Sequence, residues 1–444
     1  MHRTACPALM TLALMCPGVV AAAGGPQAAP EPPAVPARQS PPAPPPTPAP
    51  PAAPEPAAEA SVLAVPTRDI FDVIRAWRHK PEPAPPGPED YKRLMIAGAP
   101  VISYNPASGA GLGAAGNVAF YRGPPDHTRI SSLVGSLIGT TKEQLLFNAK
   151  IDASSLKNTW GLHSDNRLYW TSQDTYGLGT GTKEDEALNA RYDFFRFYET
   201  LYRQVHRNLY VGVGFLYDLH SDVRPSEDDE AAWPRSPFVT YSTQNGFDLD
   251  SQNSAGFTVQ ALVDSRDGSI NPSRGWYANV DHRMSFEGFL GGSSTWQQVN
   301  CDLRTYLRLS KDAWHRLAFW TFANLDVGSI APYFDLPATG TDTYGRSGRG
   351  YAQGRFRGQR LAYGEVEYRW TFTRSGLLGA VAFLNTQTLS DEQTGERLFD
   401  SFATGAGVGL RPMINKRSKT NLGLDIGWGK DGSTGVYLAV QEAF

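Results

Sequence analysis

Two short motifs in this chain have residue types and spacings that enzymes use. Residues 111–116 read Gly-Leu-Gly-Ala-Ala-Gly, the spacing of a dinucleotide-binding turn, and Ser293 lies among small residues as nucleophilic serines do. The glycine motif runs into the strand-like Val118–Tyr121, where a phosphate-binding turn requires a helix. Ser293 lacks the second glycine of a nucleophile elbow. The sequence therefore predicts a glycine-rich strand and an ordinary serine, and no enzyme.

A third motif is the acidic run Glu227–Glu230. Such a run binds Ca²⁺ weakly at best, and four like charges in a long loop are more typical of a solvated surface. The eight histidines of the chain show no metal-ligand spacing. We therefore expect no cofactor and no metal, and the function must follow from the elements that position the remaining residues.

The first 23 residues have the composition of a secretory signal peptide. Arg3 lies near the start, residues 8–20 are apolar, and Ala21–Ala23 form a small-residue cleavage site. We interpret residues 1–23 as a signal peptide and the remaining chain as exported.

Cysteine usage agrees with export. A lipoprotein anchor at Cys16 is the weaker alternative, because Met15 is large for the position before a lipidated cysteine. Cleavage of the signal leaves Cys301 as the single cysteine, so the mature chain must fold in an oxidising compartment without an internal disulfide.

The composition of the mature chain excludes helical membrane proteins. No run of about 18 apolar residues follows the signal, and the mean hydropathy is −0.35. Barrel strands need only about 10 residues each, half of them apolar, so a transmembrane barrel fits this composition. The pI near 6.3 and net charge of −3 give no indication of nucleic-acid binding.

Apolar and polar residues alternate in short segments from about residue 95 onward. Residues 299–309, 361–372 and 421–428 each have one apolar face and one face of Asp, Glu, Arg, Asn or Gly. A soluble sandwich also buries one face of each strand, but a polar lumen accounts better for these charged rows. We predict an all-β fold, a 16-stranded antiparallel transmembrane barrel formed by residues 95–444. The predicted strands are 101–106, 110–122, 129–139, 143–153, 161–171, 188–204, 207–218, 255–264, 275–287, 294–309, 315–328, 361–373, 377–387, 400–411, 418–428 and 434–444.

The strand number can be tested by parity, because bacterial single-chain barrels have an even number and both ends in the periplasm. With this assignment the two longest connections, 219–254 and 329–360, fall on the outer side. The short connections 265–274, 310–314 and 412–417 fall on the periplasmic side, as expected for such barrels.

The segment before the barrel divides into three parts. Residues 24–66 are dominated by Pro, Ala and Glu, which predicts a disordered periplasmic tether; a docking site for a proline-recognising partner is the alternative. Residues 67–80 have apolar side chains at helical spacing, which predicts a short amphipathic helix, and residues 81–94 form a linker. Because so short a helix is marginal alone, it should pack on the barrel mouth or lumen, the inner leaflet, or a partner.

The chain ends on Phe444. The last strand of an outer-membrane barrel has a lipid face, a lumen face and an aromatic residue at the membrane boundary. We therefore predict that Phe444 is a C-terminal barrel signal; an edge strand of a soluble sheet is the alternative for this segment alone.

One turn resembles a family motif. The residues Asp264, Arg266, Asp267, Pro272 and Gly275 are similar to the strand-turn-strand signature of the bacterial surface antigen superfamily, to which the assembly factors BamA and TamA belong. The resemblance covers residues 95–444, and it implies an outer-membrane barrel with the N-terminal segment in the periplasm.

A second motif, Arg349-Gly350-Tyr351, is similar to the lumen-loop motif of that superfamily. The resemblance implies that the loop folds into the lumen and that its arginine pairs with acids on the inner wall, near the seam between first and last strands. Glu367 is the best-matched partner. Asn385 stands where relatives have an aspartate, which removes one acceptor charge, and Asp425 or Glu365 is the expected substitute for that aspartate. A solvated Arg349 is the alternative.

The resemblance also limits the functions that this chain can be expected to have. The assembly factors carry periplasmic POTRA domains, and residues 24–94 show no such pattern, so we expect a branch without them. Three functions remain: assistance to membrane-protein insertion or translocation at the seam, a passive pore or plugged surface-exposed barrel, and, least favoured, a hydrolase in the lumen. The expected partners are outer-membrane lipid, the barrel assembly machinery during the chain's own insertion, and a periplasmic protein bound through residues 24–80.

Overall fold

The computed structural model describes residues 67–81, 90–105, 109–125, 127–328 and 330–444. The predicted signal peptide at 1–23 and tether at 24–66 lie outside the described residues. None of the helices within the described ranges is long and apolar enough to cross a membrane.

The strands form one 16-stranded antiparallel sheet, in which each strand pairs with the next one along the chain. The sheet curls into a nearly closed barrel, which confirms the predicted fold. The strands are β1 Met95–Asn105, β2 Gly109–Phe120, β3 Ser131–Thr140, β4 Leu145–Ser154, β5 Trp160–Thr175, β6 Leu188–His206, β7 Leu209–Pro225, β8 Gln252–Asp264, β9 Gly275–Ser285, β10 Trp296–Arg308, β11 His315–Asp326, β12 Arg360–Thr371, β13 Leu378–Leu389, β14 Ala403–Asn415, β15 Thr420–Gly429 and β16 Thr434–Val440.

The even strand number places the start of β1 and the end of β16 at the same end of the barrel. We call this the terminal end and the opposite one the loop end. The two longest connections, 226–251 and 327–359, both lie at the loop end, as predicted. The first contains the helix α2, Pro237–Asn245, which the sequence analysis did not predict.

The boundaries that differ from the prediction include those of the first and last strands. β1 begins at Met95 and runs through Pro100, which has no N–H to donate; β1 has one unpaired edge, and proline is tolerated on edge strands. β16 ends at Val440 because Gln441 adopts a φ of +85°, which turns the chain out of the strand direction.

Along each strand, side chains alternate between a polar lumen face and an apolar outer face. In β14 the outward Thr404, Ala406, Val408 and Leu410 are exposed, while the intervening glycines and Arg411 are buried. Large apolar residues are exposed on the outer face around the barrel, among them Leu137, Phe147, Trp170, Phe197, Phe257, Trp276, Leu303, Phe319, Trp370, Ile426 and Trp428. This surface is the expected contact with lipid.

The lumen face carries a repeated pairing of an acid with an arginine two residues later. Residues two apart share one face of a strand, so each pair can bond within its own segment. The N–O distances are between 2.5 and 2.8 Å for Asp165–Arg167, Asp264–Arg266, Asp281–Arg283, Asp302–Arg304 and Glu367–Arg369. Members of four of these pairs surround a lumen cavity of about 210 Å³.

The described residues before the barrel include the helix α1, Ile70–Trp77, inside the predicted 67–80. Asp69 caps its N-terminus: its carboxylate accepts from the Asp72 N–H, and the Asp72 carboxylate accepts from the Asp69 N–H. This reciprocal capping fixes where the helix begins.

Candidate functional site at the seam

The barrel is interrupted between its first and last strands. β1 and β16 lie side by side, yet among the described residues no backbone ladder joins them, whereas every other pair of neighbouring strands is laddered. β1 has 11 residues and β16 only 7, so the last strand is too short to cover the first. We call this interruption the seam.

The residues after β16 enter the lumen. After the turn at Gln441, residues 441–444, here named the C-terminal tail, are all buried. The Phe444 ring lies 5.2 Å from the Trp320 ring and 6.3 Å from the Tyr306 ring, and the Phe444 carbonyl accepts from Arg369 Nη2 at 2.9 Å.

The expected position of Phe444 at the membrane boundary is therefore wrong. The positive φ of Gln441 directs the tail inward, where a buried guanidinium and two aromatic rings surround the terminal side chain. Its role as a barrel signal stays a prediction.

The connection between β11 and β12, residues 327–359, folds back into the barrel, and we call it the lumen loop. Arg349 lies at its centre with 1% of its side chain exposed. Its Nη1 donates to Asp425 Oδ2 at 2.6 Å and its Nη2 to Glu367 Oε2 at 2.5 Å, and Nη2 also bonds Glu365. The acids belong to β12 and β15, so this one side chain joins the loop to two wall strands.

Asn385 and Phe383 of β13 complete the surroundings of Arg349. Asn385 Nδ2 donates to the Arg349 carbonyl at 2.9 Å, so the asparagine holds the loop backbone instead of its charge. The guanidinium carbon lies 3.7 Å from the centre of the Phe383 ring, in cation–π range.

Two more arginines extend this network. Arg369 Nε donates to Glu367 at 2.7 Å. Arg411 donates to Asp425 at 2.5 Å through Nη1 and to Glu442 of the C-terminal tail at 2.8 Å through Nε. We call Arg349, Arg369, Arg411, Glu365, Glu367, Asp425 and Glu442 the arginine cluster. Burying charges is costly unless each is paired, and here four carboxylates share three guanidinium groups.

The motif has a glycine at position 350 because the backbone of the lumen loop lies close to the backbone of β15 there. Gly350 has a φ of +117°, and a Cβ there would lie 2.8 Å from the Trp428 carbonyl carbon. Its N–H donates to Tyr437 Oη of β16 at 2.8 Å, and Tyr437 Oη donates to the Tyr351 carbonyl at 3.0 Å. Gly427 of β15 leaves room for the same approach from the wall side, because a Cβ there would lie 2.8 Å from the Gly350 nitrogen.

Tyr351 anchors the other side of the motif. Its hydroxyl donates to the Thr404 carbonyl and accepts from the Lys430 N–H. The loop thereby contacts β14, β15 and β16 through side chains, which takes the place of the missing ladder at the last strand.

Arg346, also in the lumen loop, holds the end of β16. Its Nη2 donates to the Val440 carbonyl at 3.1 Å, and its Nη1 donates to the carbonyls of Gln441 and Glu442. The site has four further members that the sequence did not predict, namely Arg346, Arg369, Arg411 and Glu442.

A cavity of about 650 Å³ lies under the seam. Val101 of β1 and Ala115 of β2 line one side, residues 434–441 the other, and Arg346 and Arg349 the floor. The cavity therefore touches both strands of the seam and the lumen loop.

The terminal end of the seam is covered by α1. Ile70 packs against a buried cluster of Ala97 from β1, Ile414 from β14 and Val440 from β16. Lys416 donates through its backbone N–H to Asp69 at 3.1 Å and through Nζ to Asp72 at 2.7 Å. α1 thus contacts strands from both sides of the seam.

The attachment of α1 to Lys416 lowers the pKa of the Asp72 carboxyl. Burial raises its pKa, but the hydrogen bond and positive charge of Lys416, with the Asp69 N–H and Arg75, outweigh burial and hold the pKa below its usual value. The ionised form is therefore favoured by docking.

The predicted turn motif lies elsewhere. Asp264 pairs with Arg266 at 2.8 Å and also with Arg129, and Asp267 accepts from the Ser273 N–H at 2.8 Å. These contacts, with buried Pro272 and with Gly275 at a φ of +103°, shape the β8–β9 turn at the terminal end. The structure brings Arg349, Gly350, Tyr351, Glu365, Glu367, Asp425 and Asn385 together, with Phe444 adjoining through Arg369, and leaves the turn motif outside this site.

Solved structures show a similar fold at low sequence identity. BamA from Haemophilus ducreyi lacking POTRA domains 1–3 is 15% identical, with a TM-score of 0.48, over 78% of this chain and 69% of that one. CdiB from Escherichia coli is 11% identical, with a TM-score of 0.50, over 81% and 63%. CdiB from Acinetobacter baumannii is 12% identical, with a TM-score of 0.49, over 78% and 59%. The chain thus spans less than two thirds of both CdiB chains.

Comparison with curated protein sequences gives no match. The pattern of the Omp85 superfamily domain, in contrast, matches residues 140–416, more than half of the chain and most of the barrel. The 16 strands in sequence order and the resemblance found in the sequence agree with this match. The chain belongs to the Omp85 superfamily of outer-membrane β-barrel proteins.

Proposed function

We propose that this barrel assists the insertion or translocation of polypeptides at its seam. The observation that carries the proposal is the edge of β1, which within the described part of the chain has no ladder to β16 and lies beside a cavity of about 650 Å³. An unpaired strand edge is a template for another strand, and unsatisfied backbone groups in lipid are costly. An incoming extended segment would satisfy those groups.

The proposal includes an orientation. The terminal end faces the periplasm, with residues 24–66 as a tether there, and the loop end faces outward. Lipid surrounds the outer face, and the barrel assembly machinery inserts the chain itself. We propose no enzymatic activity.

The test is a reversible lock across the seam. Ala97 of β1 and Val440 of β16 belong to one buried cluster, so Ala97→Cys with Val440→Cys in a Cys301→Ser background should form a disulfide on oxidation. We expect the locked protein to lose its ability to restore the outer-membrane proteome of depleted cells, and reduction to return it.

The matched control shares one of the two cysteines. Leu422 pairs with Val440 within the β15–β16 ladder, so Leu422→Cys with Val440→Cys forms a disulfide that does not bridge the seam. We expect this variant to behave as the parent does. A proteome unchanged by both depletion and the Ala97–Val440 lock would refute the proposal.

A plugged structural barrel is the second candidate, and the lumen loop favours it. Residues 347–351 and 354–358 of the loop are all buried, and charge pairs surround a cavity of only about 210 Å³. Single-channel conductance, with and without residues 67–80, separates the candidates from a passive pore. A large steady conductance of the full chain would favour the pore; a closed barrel without any effect on client proteins would favour the structural role.

A further inference from the structure

We propose that α1 is a membrane-surface helix. Its first turn docks on the terminal end of the seam, and the rest of its apolar face binds anionic phospholipid in the leaflet at that end of the barrel. The inference does not depend on the proposed function.

The docked part of α1 is confined to its first turn and the residues before it. The Arg68 N–H donates to the Ser375 carbonyl at 2.9 Å, and Ile70 joins the seam cluster. Asp69 and Asp72 bind the backbone and side chain of Lys416. These contacts attach the helix to the β12–β13 and β14–β15 turns.

The remaining apolar face of α1 has no cover in the described structure. Phe71, Val73, Ile74 and Trp77 are 46%, 45%, 40% and 78% exposed. At 100° per residue, Ile74 and Trp77 continue the stripe that Ile70 begins. The same face that is partly buried against the barrel at Ile70 is therefore exposed at the other end.

Charge is distributed unevenly along the helix. The acidic residues Asp69 and Asp72 lie at the docked end, where the Lys416 ammonium pairs with Asp72 and the Lys416 backbone N–H donates to Asp69. The exposed basic residues Arg78 and Lys80 lie at the far end. Apolar residues including tryptophan beside basic ones are typical of helices that lie at the surface of anionic membranes.

The place of attachment selects lipid over a protein partner. The two turns that hold α1 connect strands whose outward residues near the terminal end are apolar and exposed, namely Trp370, Phe372, Leu378 and Leu410. α1 is attached at Ser375 and Lys416, in the turns that adjoin these residues. The helix face therefore continues a surface that already requires lipid.

The experiment places spin labels on the full chain in nanodiscs. In a cysteine-free background, labels at Ile74→Cys and Trp77→Cys should collide more with oxygen and less with a water-soluble nickel chelate than a label at Ala76→Cys. Ala76 is exposed, lies about 160° from Ile74 and about 100° from Trp77 around the helix, and is the matched control. The contrast should be several-fold in phosphatidylethanolamine with phosphatidylglycerol.

The charge component has its own variant. The double reversal Arg78→Glu with Lys80→Glu should reduce the contrast in nanodiscs with phosphatidylglycerol and leave it unchanged in neutral phosphatidylcholine. Semi-native gels establish that each variant is folded.

Two outcomes would overturn the inference. Nickel accessibility at positions 74 and 77 equal to that at 76 would leave the face in water, where only a protein partner could cover it. Protection from both oxygen and nickel would mean that the face packs on the barrel itself.

Discussion

The seam and the wall opposite it are stabilised in different ways. On the opposite wall, β6 and β7 have 19 and 17 residues and pair along nearly their full lengths. Acid–arginine pairs such as Asp281–Arg283 neutralise charge within one strand. At the seam, a 7-residue β16 is held by the lumen loop and the C-terminal tail.

The two regions differ in how far apart in the sequence their interacting residues lie. Ladders and pairs at i and i+2 form from neighbours in sequence, so the opposite wall is stable strand by strand. The arginine cluster joins β12, β14, β15, the lumen loop and the tail, and the loss of one member affects all of them. Regions with few backbone bonds between strands open at the lowest cost, so we expect the seam to open before the rest of the barrel.

The largest expected effect is that of Arg349→Ala. Removing the guanidinium leaves Glu365, Glu367 and Asp425 buried with two arginines, and breaking a buried pair costs about 3–5 kcal/mol. We expect the folded band on semi-native gels to unfold at a clearly lower temperature. Arg304→Ala is the control, because its partner Asp302 is 25% exposed and can be hydrated. Equal losses in the two variants would remove the distinction between seam and wall.

Tyr437→Phe should have the next largest effect. It removes both hydrogen bonds between β16 and the lumen loop and leaves the Gly350 N–H without its partner, at about 1–3 kcal/mol. Amide hydrogen exchange of β16 should accelerate while that of β6 and β7 stays unchanged. Tyr217→Phe in β7 is the control substitution. Faster amide exchange spread evenly over the barrel would contradict the prediction that Tyr437 stabilises the seam locally.

Phe444→Ala tests the tail. The change removes the ring from Trp320 and Tyr306 but keeps the carbonyl that accepts from Arg369. We expect faster proteolysis of the C-terminus and a loss of heat resistance smaller than that of Arg349→Ala. Phe399→Ala is the control, since Phe399 is 64% exposed. An effect no larger than the control would mean that the tail does not depend on its ring.

The smallest effect is a pH dependence of α1 docking. The folded pKa of Asp72 is lowered, so its contribution is present above the unfolded value of about 3.9 and lost as the pH falls through the folded pKa. A label at Ile74→Cys should become more mobile below about pH 4 and stay unchanged between pH 5 and 8. In Asp72→Asn this transition should disappear. A transition that persists in the Asn variant belongs to another group.

The strands could be predicted because alternation is a local property. All 16 were found from the pattern of polar and apolar residues, and their parity placed the long connections at one end. The boundaries of β1 and β16 could not be found in this way. Pro100 is tolerated only because β1 has a free edge, and the end of β16 depends on the positive φ of Gln441.

Only part of the site could be predicted from the sequence. The resemblance pointed to Arg349 and its acids, and the polar faces of β12 and β15 showed which side they occupy. Glu442 was missed because its pairing with Arg411 depends on the inward turn of the tail. For α2 a signal was present, since Ser236 caps it, Pro237 starts it and Gly246 ends it in the left-handed conformation.

The composition of the arginine cluster has a consequence for biogenesis. Its members come from the lumen loop, from β12, β14 and β15 and, with Glu442, from the C-terminal tail. A barrel whose C-terminal tail has not yet turned inward leaves Arg411 without Glu442, whereas a pair such as Asp281–Arg283 forms within one strand. The ion pairs of the arginine cluster are therefore complete only after the C-terminal tail has docked in the lumen.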